Sequence, residues 1–320
     1  MKSTNTFLIV FSFLVVLPCT KVQSYDLPAV NLGFTTFVDV PPAQPGLYFT
    51  QYIHNWTSKR FKDSEGNSLL PGFADEKLDV WISITQLFYY SPEKLPLGTT
   101  WGLDILIPVV SIDLDFGTSN VSGLPADNGA GLGDIIIAPI FQWDPIMGKN
   151  GPLFVHRIEL QLILPTGKYD DDKELNPGSN FFSFDPYWAG TFFIAPRWTT
   201  SLRLHYLWND KNHDPNRNFV GAEDTKAGQA IHANFTVDYE VIQEKLRVGL
   251  NSFFLKQITD TEIDGRNAPG NRREQVFGIG PGAVWQFFKN DFLFLNTYYE
   301  TEVENRPQGR RINLRWVHIF

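Results

Sequence analysis

RRINLRWVHIF, Arg310–Phe320, decides the fold. Ile312, Leu314, Trp316, His318 and Phe320 form one alternate row, and Arg311, Asn313 and Arg315, continued by Val317 and Ile319, form the other. Successive side chains of a strand point to opposite faces. This stretch is therefore a strand with one greasy face and one face that is polar at its start. The closing strand of an outer-membrane barrel needs that pattern, because lipid covers one face and a watery lumen the other. The rival is an edge strand of a soluble sandwich.

At the other end, Lys2 precedes an apolar run, Phe7–Leu17, of signal-peptide length and too short to span a bilayer. Val22 and Ser24 stand three and one before Tyr25, so Sec-type export with cleavage before Tyr25 is expected, residues 1–24 being removed. Cys19 is the only cysteine and leaves with the leader, so disulfides and thiol chemistry are excluded from the mature chain. The mature chain carries 25 basic against 35 acidic side chains, a net charge of −10, and no basic run suggests nucleic acid. Aromatic residues make up 15% of the chain while mean hydropathy is only −0.17. A chain can be embedded in a membrane with such a composition if every second residue is polar.

Residues 25–46 are rich in proline and alanine and are expected to be extended, either as a plug entering the lumen or as a loose leader; residues 47–320 form the barrel. About twelve strands are expected: Leu47–Thr57, Asp79–Tyr90, Thr99–Ile112, Gly131–Trp143, Leu153–Pro165, Asp185–Ala195, Trp198–Trp208, Gly228–Val241, Leu246–Ile258, Glu274–Phe287, Asp291–Glu302 and Arg310–Phe320. Their length of roughly 10–14 residues suits a tilted bilayer crossing. In one of the cleanest, Ile158, Leu160, Leu162 and Leu164 oppose Arg157, Glu159 and Gln161. Two are unclear: Trp81–Tyr90 has no consistent polar row, and Gly278, Gly280 and Gly282 leave one face bare. The connections alternate long and short, as outer loops and periplasmic turns do. The expected class is thus all-β: a transmembrane antiparallel up-and-down barrel of about twelve strands with a polar lumen.

Tryptophan supports this reading. Trp56, Trp81, Trp188 and Trp208 fall near the long-loop ends of their strands and Trp101, Trp143, Trp198 and Trp285 near the short-turn ends, with Trp316 mid-strand. Indole, apolar with one polar handle, gathers in belts at the two membrane interfaces. The lumen is expected to carry Arg157, Glu159, Arg203, His205, His232, Asp238, Arg247, Arg311 and Arg315. Outer-loop phenylalanines Phe61, Phe73, Phe181, Phe182 and Phe219 are expected to collect solute.

Several stretches together resemble one known family: LPAVNLG (27–33), QPGLYF (44–49), GLGD (131–134), LILPTGKYD (162–170), DPYWAGTF (185–192), LHYLWN (204–209), AGQAIHANFTVDYEV (227–241), LRVGLNSFFLKQITD (246–260) and GIGPGAVW (278–285). In order and spacing these are similar to the outer-membrane family labelled for the meta-pathway of phenol degradation. The resemblance implies a barrel and passage of small aromatic or apolar molecules, with no enzyme activity and no cofactor. Gly131 and Gly133 open its signature strand, turning the chain out of a long loop, with Asp134 pairing near the rim. The chain's end also resembles the signature that outer-membrane proteins present to their assembly machinery. Trp316, His318 and Phe320 would carry it, although that signature usually has an aromatic residue where His318 stands.

Expected partners are outer-membrane lipid, the barrel assembly machinery and a small-molecule solute; no nucleic acid is expected, and the barrel is expected to be a monomer. Two other functions compete. His205 and His232, on the polar faces of neighbouring strands with Ser201 and Asn234, could serve a membrane-embedded hydrolase. Alternatively, the outer loops could make the barrel structural or adhesive. No metal is expected: His205 and His232 could form a metal pair, but polar pore lining is far commoner, and Asp170, Asp171, Asp172 and Glu174 lack the fixed order of a calcium loop.

Overall fold

The computed structural model describes residues 26–35, 37–69, 76–117, 124–149 and 151–320. The expected leader, its cleavage point and Phe73 lie outside these residues. Twelve long strands form one antiparallel sheet: β1 (Gly46–Phe61), β2 (Lys77–Leu95), β3 (Thr99–Asp115), β4 (Ile136–Trp143), β5 (Gly151–Ile163), β6 (Ser183–Ala195), β7 (Trp198–Asn209), β8 (Ala230–Ile242), β9 (Leu246–Gln257), β10 (Gln275–Phe288), β11 (Asp291–Glu304) and β12 (Pro307–Ile319). Each pairs with its neighbours in sequence. β12 returns to β1 in a register running from Tyr48↔Ile319 to Phe61↔Pro307, interrupted between Ser58 and Arg60. The sheet is therefore closed and has no free edge, as hydrocarbon surroundings demand.

The period of two places the faces. On β8, Ile231 and Phe235 are exposed on the outside while His232, Asn234, Thr236 and Asp238 are buried within. On β12, Ile312, Leu314 and Trp316 point out, and Arg311 and Asn313 point in. The long and short connections collect at opposite rims. Small strand pairs in the long loops, Lys211–Asn212, Thr225–Lys226, Glu262–Ile263 and Arg266–Asn267, join into a second sheet at the long-loop end.

Three expectations need correction. The strand expected over Gly131–Trp143 is divided. Ala130–Leu132 pairs with β3, the chain breaks at Gly133–Ile135, and β4 begins at Ile136. The break frees Asp134 to accept the backbone N–H of Gly167 (2.9 Å) and of Ser179 (2.8 Å), so it fastens the loop after β5. Trp56 is no belt residue: it points inward, donates Nε1–H to Glu300 (3.0 Å) and lies under the Arg311 guanidinium. Trp316, expected mid-strand, donates to Asp291 (3.0 Å) beside a short turn, so it joins the short-turn belt.

The bare glycine face of β10 has a packing reason. A Cβ on Gly278 would lie 2.3 Å from the Phe253 ring of β9. Phe253 in turn packs against Tyr298 of β11, with ring centroids 5.2 Å apart. Gly278→Val is therefore expected to displace Phe253 and destabilise the barrel by about 1–3 kcal/mol through overpacking. A lowered unfolding temperature, followed by heat-modifiable gel mobility, would register it; an unchanged temperature would refute the packing account.

Candidate functional site

The lumen holds the chain's own N-terminal segment. Its glycines, prolines and short side chains let it run extended, and its backbone is satisfied by lumen side chains rather than by a ladder. Gly33 N–H donates to Asn234 (3.0 Å), Asp39 N–H to Ser201 (3.2 Å) and Val40 N–H to Thr191 (2.9 Å), while Gln142 donates to the Pro41 carbonyl (2.7 Å). Gly33 has φ +87°, and a Cβ there would meet the Tyr298 ring at 2.7 Å, so glycine alone fits this turn. Both ends of the segment carry a charge clamp. Asp26 takes a two-pronged bond from Arg272 (3.0 and 2.9 Å), and Asp39 takes one from Arg203 (3.0 and 2.7 Å). Such fork-to-carboxylate pairs add geometric specificity as well as energy.

All nine expected lumen residues lie on inward rows. Arg157 stands 4.0 Å from both Asp39 and Glu159. Glu159 accepts from Gln161 (2.8 Å) and from the Tyr187 hydroxyl. Arg203 lies over the Tyr187 ring at 4.1 Å. Asp238 accepts from Thr199 (2.5 Å) and from Arg247, which also reaches the Arg197 carbonyl at the short-turn rim. Arg311 binds Glu300 (2.7 Å), and Arg315 lies 3.8 Å above the Phe294 ring. His205 and His232 both face Asp185. Guanidinium–aromatic stacks of this kind keep a buried cation solvated where water is scarce.

The opposite wall is largely apolar. On β2 the inward row is Val80, Ile82, Ile84, Gln86 and Phe88, and on β3 it is Asp104, Leu106, Pro108, Val110 and Ile112, with Gln86 donating to Asp104 (2.6 Å). Three polar side chains of β2 face outward and bond sideways to β1: Ser83 and Thr85 to Gln51 (3.0 and 2.9 Å), and Asp79 to Asn55 and Thr57 (2.9 and 2.8 Å), whereas Gln86 faces in. This is why Trp81–Tyr90 offers the lumen one amide rather than a polar row. A lumen cavity of about 680 Å³ runs along this wall and the N-terminal segment, whose Phe34 and Phe37 line it, and it also reaches Arg157, Asp185, Arg203 and Arg315 on the polar side.

The chain matches the sequence profile of the family described as "Putative MetA-pathway of phenol degradation" over residues 58–316. The chain belongs to this family. A comparison with curated protein sequences finds no match. Among solved structures it is similar to an outer-membrane channel from Pseudomonas putida F1, with a TM-score of 0.72 and 21% identity over 87% of this chain and 97% of that one. It is similar more distantly to the Pseudomonas putida toluene transporter TodX (TM-score 0.43, 9% identity, 92% and 98% covered). The translocator domain of the autotransporter NalP from Neisseria meningitidis is comparably distant (0.46, 10%, 87% and 90%). The first likeness bears on fold; the other two, below 0.5, bear on nothing further.

In this family member several expected roles dissolve. Ser201 is engaged by Thr191 (2.8 Å) and the Asp39 amide, and Asn234 by Gly33 and Asn31, so neither stands with the histidines as a hydrolase would need. The loop phenylalanines are packed rather than free. Phe61 lies within β1 against Phe116, Phe181 is buried, Phe182 faces Trp208, and Phe219 sits under Arg272. In the outer loops Glu174 is tied to Arg217 (2.5 Å), and burial pushes the Tyr169 hydroxyl up to about 12, keeping it a donor to the Asp214 carbonyl. Sequence reasoning leaves Asp185 and Asp39 unmarked. Strand register could have found the first, because Tyr187 pairs with His205 and places Asp185 on the adjacent diagonal. Nothing local marks the second.

Proposed function

We propose that this chain is a passive outer-membrane channel admitting small apolar or aromatic compounds. One observation carries the reading: in a barrel with many charged and amide side chains on its inner face, β2 and β3 turn a largely apolar wall, interrupted by Gln86 and Asp104, toward a cavity of about 680 Å³. A monoaromatic solute burying roughly 200 Å² there gains on the order of 5 kcal/mol, at about 25 cal/mol per Å². Association costs reduce that gain substantially, so binding is weak enough to permit release. The clamped segment, residues 25–46, acts as a fixed plug within the barrel of residues 47–320, and solute passes between plug and wall. Export with loss of residues 1–24, insertion by the barrel assembly machinery through Trp316, His318 and Phe320, and a monomer surrounded by lipid complete the reading. The family description and the P. putida F1 channel support it, and no enzymatic step is assigned.

The test is uptake of a labelled monoaromatic hydrocarbon by Gram-negative cells with and without the channel, since their lipopolysaccharide leaflet slows apolar entry. Ile84→Asn combined with Leu106→Asn, on the apolar wall, is expected to reduce the channel-dependent rate about tenfold, the effect of roughly 1.4 kcal/mol. Equal uptake with and without the channel would sink the proposal.

A further inference from the structure

Asp185 on β6, His205 on β7 and His232 on β8 converge inside the lumen wall. His205 and His232 are directly opposed in the β7–β8 register. His205 Nδ1 lies 3.1 Å from Asp185 Oδ2, and His232 Nε2 lies 3.0 Å from Oδ1 and 3.2 Å from Oδ2. The two imidazole side chains are fully buried and the carboxylate is 1% exposed. The charge around them does not balance. Asp39, Asp238, Glu274 and Glu300 each hold an arginine, but among the described residues no arginine or lysine lies within ion-pair distance of Asp185. With neutral imidazoles the cluster is a buried negative charge, a costly arrangement without a cation.

We propose that Asp185, His205 and His232 bind a divalent transition-metal ion of the zinc type. Two imidazoles and one carboxylate are the donor set such ions take, at about 2.0–2.2 Å each, with a fourth position left open. Tetrahedral coordination at that distance separates donors by about 3.3–3.5 Å. The two His–Asp contacts of 3.0–3.2 Å therefore need to open by only a few tenths of an ångström, and all three donor atoms lie within 4.8 Å of one another. The rings, stacked with centroids 4.0 Å apart and planes at 19°, fan apart about their Cβ–Cγ bonds so that each lone pair meets the ion. Asp185 borders the lumen cavity, which gives the ion a route in and turns the open position toward passing solute. The ion neutralises Asp185 and ties three adjacent strands together.

The test uses full-length folded protein without a polyhistidine tag, stripped with chelator and titrated with Co²⁺ and then Zn²⁺. One equivalent of Co²⁺ is expected to bind with the intense visible band of a four- or five-coordinate site, and Zn²⁺ is expected to displace it. Asp185→Asn and His232→Gln should each weaken binding about tenfold or more, while His213→Gln, exposed in an outer loop, should not. Because a variant could fail to fold, zinc-edge anomalous diffraction from wild-type crystals provides an independent reading. A peak among the three side chains supports the site. A peak only elsewhere, no peak, or undiminished binding in folded Asp185→Asn overturns it.

Discussion

Arg203→Met is expected to loosen the N-terminal segment and raise single-channel conductance several-fold. Arg203 holds Asp39 through two bonds in a setting where both side chains are less than 10% exposed. Removing one partner of a buried ion pair leaves the other uncompensated and typically costs about 3–5 kcal/mol. Arg157, 4.0 Å from Asp39, offsets a part of that loss. The remaining anchors, from Gly33 to Asn234 and from Asp26 to Arg272, keep the far end in place, so the segment should fluctuate chiefly around Asp39. The double variant Asp39→Leu with Arg203→Met should recover most of the thermal stability, because an apolar replacement of a buried pair is often neutral. Its conductance should stay high, since the clamp is gone. If Arg203→Met leaves both conductance and unfolding temperature unchanged, the pair does not hold the segment.

The second large effect is expected on the outside. Ile158 lies near the middle of β5 and pairs laterally with Trp188, which sits mid-strand rather than at the long-loop end expected of it and pairs with Leu204, so the three form an outward apolar band. Ile158→Arg places a charge at mid-depth and is expected to destabilise the folded barrel by about 2–4 kcal/mol. Leu160→Arg, two residues nearer the long-loop rim, should cost less, because the penalty declines toward the interface. Urea titration of the barrel in lipid vesicles measures both. A spin label at Ile158 should show the oxygen accessibility of lipid, whereas a water-like signal there would invert the assignment of faces.

Much of the architecture was legible because its causes are local. A strand that separates lipid from a wet lumen must alternate, and Ile158–Leu164 against Arg157–Gln161 shows that alternation within eight residues. Turn signals and loop lengths are local too, so strand count and the two rims followed. The strands that alternate poorly were unreadable for a nonlocal reason. β2 is mostly greasy inward because it faces a cavity, and its polar side chains are satisfied by β1 and β3, strands whose registers the β2 sequence does not encode. Gly278 is bare because Phe253, on another strand, occupies its space.

The sequence by itself determined the barrel, its inside and outside, and the residue types available to the lumen. It did so because a period of two and the lengths of connections are properties of neighbouring residues. Only the tertiary structure decided that the N-terminal segment threads the lumen and that Asp39 meets Arg203 across 164 positions. It also decided that Trp56 turns inward and that Asp185 joins two histidines from the next two strands. Those contacts depend on register and on how far the closed sheet brings distant side chains together, and no periodicity within one strand carries that information.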